Sequence, residues 1–283
     1  MKKLKNILSA LLYIAIFFAI QFVVVFIFEL AVTVKETVLL AASGGVDTAA
    51  LTEAVVASIK ENEIALTVVS DVIFILVVWL IFKIRKKNMF AEVGLTKPNP
   101  RYLPAVIALG AAANVLVSVL FSFLPLPESW WDEYNAAAAA LDEISVVNVI
   151  AIVVVAPIAE ELLFRGLVFT RLSRGLGVYI GAAASALLFG IMHGTVIWGI
   201  YTALFGLVIV FIFVRTRSLF YAMLFHFSFN MVSLFVEEIS PVLIAVSSAL
   251  FIAAAADLII TSNRLNRPTA PPPDTAGTDP AQK

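Results

Sequence analysis

The sequence predicts an all-α fold: a polytopic membrane bundle of about eight transmembrane helices, with both termini cytoplasmic. Three observations carry that expectation. Hydrophobic residues make up 61% of the 283 and charged residues only 14%, against roughly 45–50% and 25% in soluble domains. Mean hydropathy is +1.02. The apolar residues also gather into stretches near the ~20 residues that a ~30 Å hydrocarbon core requires.

Those stretches read at approximately 7–33, 64–82, 103–124, 146–170, 177–194, 196–214, 218–236 and 240–261. The first follows Met1-Lys2-Lys3-Leu4-Lys5 and, with no small-residue cleavage site, reads as an anchor and not a removed signal. Between the first two, the 34–63 segment is expected to form an outer helix running into the second span, with Asp47 as its N-cap. The 125–145 segment carries Glu128, Asp132, Glu133, Asp142 and Glu143 without a basic residue, beside Trp130, Trp131 and Tyr134. It reads as a solvated acidic loop whose aromatic edge sits at the membrane interface. The chain divides into one membrane domain over 1–262, with its catalytic core at 145–236, and a disordered Pro-rich cytoplasmic tail over 263–283.

Orientation follows from the basic residues, which concentrate in cytoplasmic loops. With eight spans, one side collects the first three lysines, the Lys83–Arg101 run, Arg171, Arg174, Arg215, Arg217, Arg264, Arg267 and Lys283, or sixteen of the nineteen basic residues. Lys35 and Lys60 fall on the other side, and Arg165 is intramembrane. Dropping one span would scramble this segregation. A net charge of −1 argues against a nucleic-acid partner. The absence of cysteine removes disulfides, thiolate metal sites and a cysteine nucleophile from consideration.

Ionisable residues in hydrocarbon are costly and normally face a cavity that uses them. Three polar constellations interrupt the spans: Glu160-Glu161-Leu-Leu-Phe-Arg165, Phe189-Gly-Ile-Met-His193 and His226-Phe-Ser-Phe-Asn230. They contain both histidines of the chain. Glu161 and Arg165 are four apart and share a helix face as an ion pair, which turns Glu160 about 100° away and leaves it free to face a cavity. Pro157, one turn earlier, removes a backbone hydrogen bond. Phe189 shares a face with His193, and His226 with Asn230. Glu160, His193, His226 and Asn230 then supply a base, a second proton-handling group and two donors for an oxyanion, as amide hydrolysis by water requires. Glu160, His193 and His226 could equally hold one divalent, zinc-type ion that acidifies water.

These three motifs, in this order on separate membrane helices, resemble those of the type II CAAX prenyl endopeptidase and bacteriocin-processing family of intramembrane proteases, also called CPBP or Abi. The resemblance spans about 145–236, and Phe90-Ala-Glu-Val-Gly-Leu95 is similar to a further segment found there. It implies that Glu160 and His193 activate water, that His226 and Asn230 stabilise the oxyanion, and that Glu161, Arg165 and Phe189 support them. The family is often classed as metalloendopeptidase, yet no His-Glu-x-x-His signature occurs. A metal-free route is therefore expected, with one divalent metal as the alternative. Partners are the lipid bilayer and a membrane-embedded or membrane-anchored peptide, prenylated or bacteriocin-like, and the expected location is a bacterial plasma membrane. A proton-coupled small-solute transporter or a non-catalytic scaffold or immunity protein would use the same buried groups differently.

The remaining intramembrane polar residues, Glu29, Asp71, Asn114 and Asp257, read as cavity-solvated or interhelical hydrogen-bonding groups, with Glu29 near the outer interface. Gly177, Gly181, Gly190 and Gly194 read as a series that lets the fifth span approach its neighbours. One problem of depth arises: His193 falls near the outer end of its span and His226 toward the cytoplasmic half of its own, so either the fifth helix is shifted or the site sits near the midplane.

Overall fold

The computed structural model describes residues 2–42, 45, 47–139, 145–236 and 238–266. Within them all regular structure is helical, in eleven helices that we number in chain order. They are α1 Lys2–Ala42, α2 Thr48–Glu61, α3 Glu63–Ile84, α4 Met89–Val93, α5 Leu103–Ser122 and α6 Glu128–Ala139. There follow α7 Val146–Leu176, α8 Val178–Ile191, α9 Val196–Thr216, α10 Leu219–Ser233 and α11 Pro241–Leu265. Each of the eight apolar stretches forms a helix. Six are long and apolar enough to cross a membrane, whereas α8 and α10 have 14 and 15 residues and are shorter than a full span. The protein is thus a helical multi-pass membrane protein.

The first span differs from expectation. No Gly or Pro occurs in the chain before Gly44, so nothing breaks the helix at 33 and α1 runs for 41 residues, about 60 Å at 1.5 Å per residue. The outer helix after it is present as α2, and Asp47 caps it by accepting a hydrogen bond from the Ala49 N–H at 3.0 Å. The acidic segment is also more ordered than a loop. It winds into α6, whose Tyr134 meets Trp131 at 5.8 Å and Trp198 of α9 at 5.6 Å between ring centroids; Asp142 and Glu143 lie outside the described residues. At the other end α11 extends past 263 to Leu265, and the Pro-rich run lies outside the described residues.

Close packing is concentrated where small residues allow it. A Cβ on Gly190 would run into the Gly199 carbonyl of α9, and one on Gly181 would stand 2.6 Å from the Ser173 nitrogen of α7. Gly177 and Gly194 are a different case and correct the sequence reading. Nothing lies within 4 Å of their Cβ positions, but their φ values are +90° and +81°, so they are there for the turns before and after α8.

The Phe90–Leu95 segment forms α4, which Asn88 caps and left-handed Gly94 ends. Gly94 accepts from the Leu219 N–H at 2.8 Å, and Ser218 donates to the Thr96 carbonyl at 3.2 Å. This ties α4 to the α9–α10 turn. On its surface Glu92 pairs with Lys87 at 2.7 Å, and that hydrogen bond holds the Glu92 carboxyl below its usual range.

Candidate active site

Helix α7 carries the acidic motif, and its backbone is unusual there. Turns 151–155 and 162–169 are π-helical, flanking the α-helical turn Ala156–Glu161. In the wide register Ala156 donates to the Ala151 carbonyl, five residues back, so the Ile152 carbonyl would take its hydrogen from residue 157. That residue is proline and has none. Asn230 of α10 replaces it: its Nδ2 donates to the Ile152 carbonyl at 2.9 Å. Ser185 of α8 does the same for the second wide turn, donating to the Phe164 carbonyl at 2.9 Å.

Glu161 and Arg165 form the ion pair that the spacing predicts, at 3.0 Å and with both side chains fully buried. Arg165 also donates to the Gly206 carbonyl of α9 at 3.1 Å and lies 4.4 Å over the Phe189 ring. Glu161 does more than pair. Its Oε1 also meets His226 Nδ1 at 2.8 Å, which places the Nδ1 hydrogen on the carboxylate and aims Nε2 the other way. Across that gap stands Glu160, with Oε2 3.8 Å from His226 Nε2 and a quarter of its side chain exposed. That distance is too long for a hydrogen bond and suits a single bridging water.

His193 is positioned from its own helix. Its Nδ1 lies 2.7 Å from the Phe189 carbonyl, and because a carbonyl can only accept, Nδ1 carries the hydrogen and Nε2 is left with a lone pair. The Phe189 ring is the shared surface of the site: its centroid is 4.7 Å from the His193 imidazole and 6.1 Å from that of His226. This answers the depth problem. Helix α8 ends at Ile191, so His193 sits in the turn beyond it and folds back onto Phe189, one α-helical turn deeper.

Sequence reasoning gave Asn230 a role only at the reacting centre, whereas one of its two amide hydrogens is spent on the Ile152 carbonyl. The cue was present in Pro157, four residues before Glu161, but reading it required the π register. Among the other intramembrane polar residues, Asn114 bonds between helices as expected, donating to the Phe229 carbonyl at 3.1 Å. Asp257 accepts from Thr261 at 3.4 Å, and Glu29 is exposed. Asp71 was not assigned to the site; it is buried on α3, which packs on the Ala156–Glu161 turn. Among the described residues no three His, Cys, Asp or Glu side chains are grouped as a ready-made ion site. His226 Nδ1 is directed at Glu161, and His193 Nδ1 at a backbone carbonyl.

A membrane helical bundle that buries carboxylates and imidazoles together defines a class, the polytopic proteins with chemistry inside the bilayer. Residues 142–232, which hold all three motifs, match the family model of Rce1-like type II CAAX prenyl endopeptidases, so this third of the chain is similar to that family. No curated protein and no solved structure matches the chain.

Proposed function

We propose that the protein is an intramembrane endopeptidase in which Glu160 is the general base for a water held between its carboxylate and His226. The carrying observation is the 3.8 Å gap between Glu160 Oε2 and His226 Nε2, with His226 fixed from behind by Glu161. As the water oxygen attacks the substrate carbonyl carbon, its proton passes to Glu160. His193, whose Nε2 has a free lone pair, is the second proton-handling group: it takes the proton that Glu160 received and gives it to the amine nitrogen as the scissile C–N bond breaks. The oxyanion is met by the remaining Asn230 N–H and, in its imidazolium form, by His226 Nε2–H. Glu161, Arg165 and Phe189 act through these groups. In the alternative, Glu160, His193 and His226 hold a divalent ion, with Nε2 of each imidazole as the ligating atom while Glu161 and the Phe189 carbonyl take the Nδ1 hydrogens.

The substrate is a membrane-embedded or membrane-anchored peptide, with a prenylated CAAX protein or a bacteriocin-like precursor as the candidate classes, in a bacterial plasma membrane. Comparing membrane peptides of cells that carry the wild type or Glu160→Gln tests this. Precursors should accumulate in the variant at equal protein levels, and identical peptide profiles would end the protease reading. Purified enzyme should keep its turnover after exhaustive chelation; silencing by chelator with rescue by a zinc-type ion would replace the metal-free route with the metal one.

A further inference from the structure

Asp71 lies in the middle of α3, one of the most apolar helices of the chain, and is 2% exposed. Among the described residues its carboxylate has no hydrogen bond or ion pair. A buried, unpaired aspartate in hydrocarbon is costly, by at least ~2.5 kcal/mol even on insertion scales, unless water or a function compensates it. Helix α3 packs on the Ala156–Glu161 turn of α7, the turn that carries Glu160.

A second observation points to where water comes from. Between α1, α2 and α3 lies a cavity of about 360 Å³, whose polar lining comes from Gln21, Lys60, Glu63, Thr67 and Ser70. Apolar side chains Val25, Ile59 and Leu66 also line it, and it is large enough to hold water beside its polar groups. Glu63, Thr67 and Asp71 are successive i, i+4 neighbours, so they form one row on α3 that descends about 6 Å per step from the cavity toward Glu160. The row ends at the one place where a hydrolase consumes water.

We propose that the Glu63–Thr67–Asp71 face of α3 is a water inlet leading from the α1–α2–α3 cavity to Glu160, with Asp71 as the positioning residue that holds incoming water against the base. The consumption of that water rests on the hydrolase reading above; the inlet itself does not. Every peptide bond cleaved uses one water molecule, and a lipid-enclosed site must draw it along a polar surface. Asp71 fits that task because it is the innermost polar side chain of the row.

The chain contains no cysteine, so single cysteines report without background. Thr67→Cys and Asp71→Cys, with Val72→Cys and Leu76→Cys, at positions 44% and 57% exposed on the protein surface, as controls, are placed in full-length protein in phosphatidylcholine nanodiscs. A small charged methanethiosulfonate then reaches both faces. The inlet predicts labelling of positions 67 and 71 at least about tenfold faster than 72 and 76, since thiolate reaction requires water at the sulfur. Adding Thr67→Trp should plug the row and slow labelling of Asp71→Cys to the control rate. Equal labelling at 71 and 76 would overturn the inlet. Fast labelling of 71 that survives the plug would overturn it too, because water would then arrive through the mouth of the site. With a farnesylated CAAX peptide as probe, Asp71→Asn should lower kcat by about tenfold or more with KM and melting unchanged, and Asp71→Glu should restore part of it. Loss of melting temperature in step with kcat would reduce Asp71 to a packing role, while a wild type inert to the peptide but labelled as expected would count against that substrate and leave the inlet standing.

Discussion

Glu160 and Glu161 are adjacent in sequence and differ in every physical respect that matters. Glu161 is fully buried and shares one oxygen between Arg165 and His226, while Glu160 opens toward the space in front of His226. Replacing Glu161 by Gln removes the charge that neutralises Arg165 in a dry interior, where an unpaired ion costs about 3–5 kcal/mol. A lower melting temperature is therefore expected for Glu161→Gln, together with lost activity from a misoriented His226. Glu160→Gln should abolish cleavage and leave melting nearly unchanged. Thermal melts of the two variants in one detergent decide the matter, and equal destabilisation would refute the division. Helical spacing alone told these two residues apart. It did not reveal that Glu161 also orients His226, because that contact joins residues 65 positions apart.

At the scale of the element, α7 is a helix with two wide turns, each closed by a side chain from a neighbour. Asn230→Ala should cost about 1–2 kcal/mol by leaving the Ile152 carbonyl unpaired. Pro157→Ala restores an N–H in register to reach that carbonyl, so the same Asn230→Ala change should cost clearly less in a Pro157→Ala background. A double-mutant cycle on melting measures the coupling, and additive costs would show that Asn230 does not substitute for the missing N–H. Apolar periodicity places α7 and its start at 146 correctly but says nothing of π turns. Pro157 is a local cue to the first of them, but the Asn230 and Ser185 side chains that donate to the two turns come from other helices, which no local pattern encodes.

For the molecule as a whole, the basic residues gather at one end of the bundle. Arg171 donates to Ser9 near the start of α1, Arg174 faces Glu92, and Arg215 donates to Asn263 at the end of α11. We propose that this end is cytoplasmic, which requires α8 and α10 to cross despite their 14 and 15 residues. Reporter fusions that are active only on one side should then place the N-terminus, the 85–99 turn and the C-terminal tail together, and the 47–62 and 124–145 segments opposite. A terminus on the side of Lys60 would refute both the orientation and the count of eight.

Composition by itself determined the all-helical membrane class, because an apolar chain in lipid must satisfy its backbone internally and helices do so segment by segment. Local spacing determined the Glu161–Arg165 pair, the Asp47 cap and which motif residues share a face, since these depend only on the 3.6-residue turn. Only the tertiary structure decided that one Phe189 ring carries both imidazoles, that Asn230 completes a helix it does not belong to, and that α3, which buries Asp71, packs on the turn that carries Glu160. Each of those depends on where separate helices pack, and helix packing is a property of complementary surfaces that no stretch of sequence contains alone.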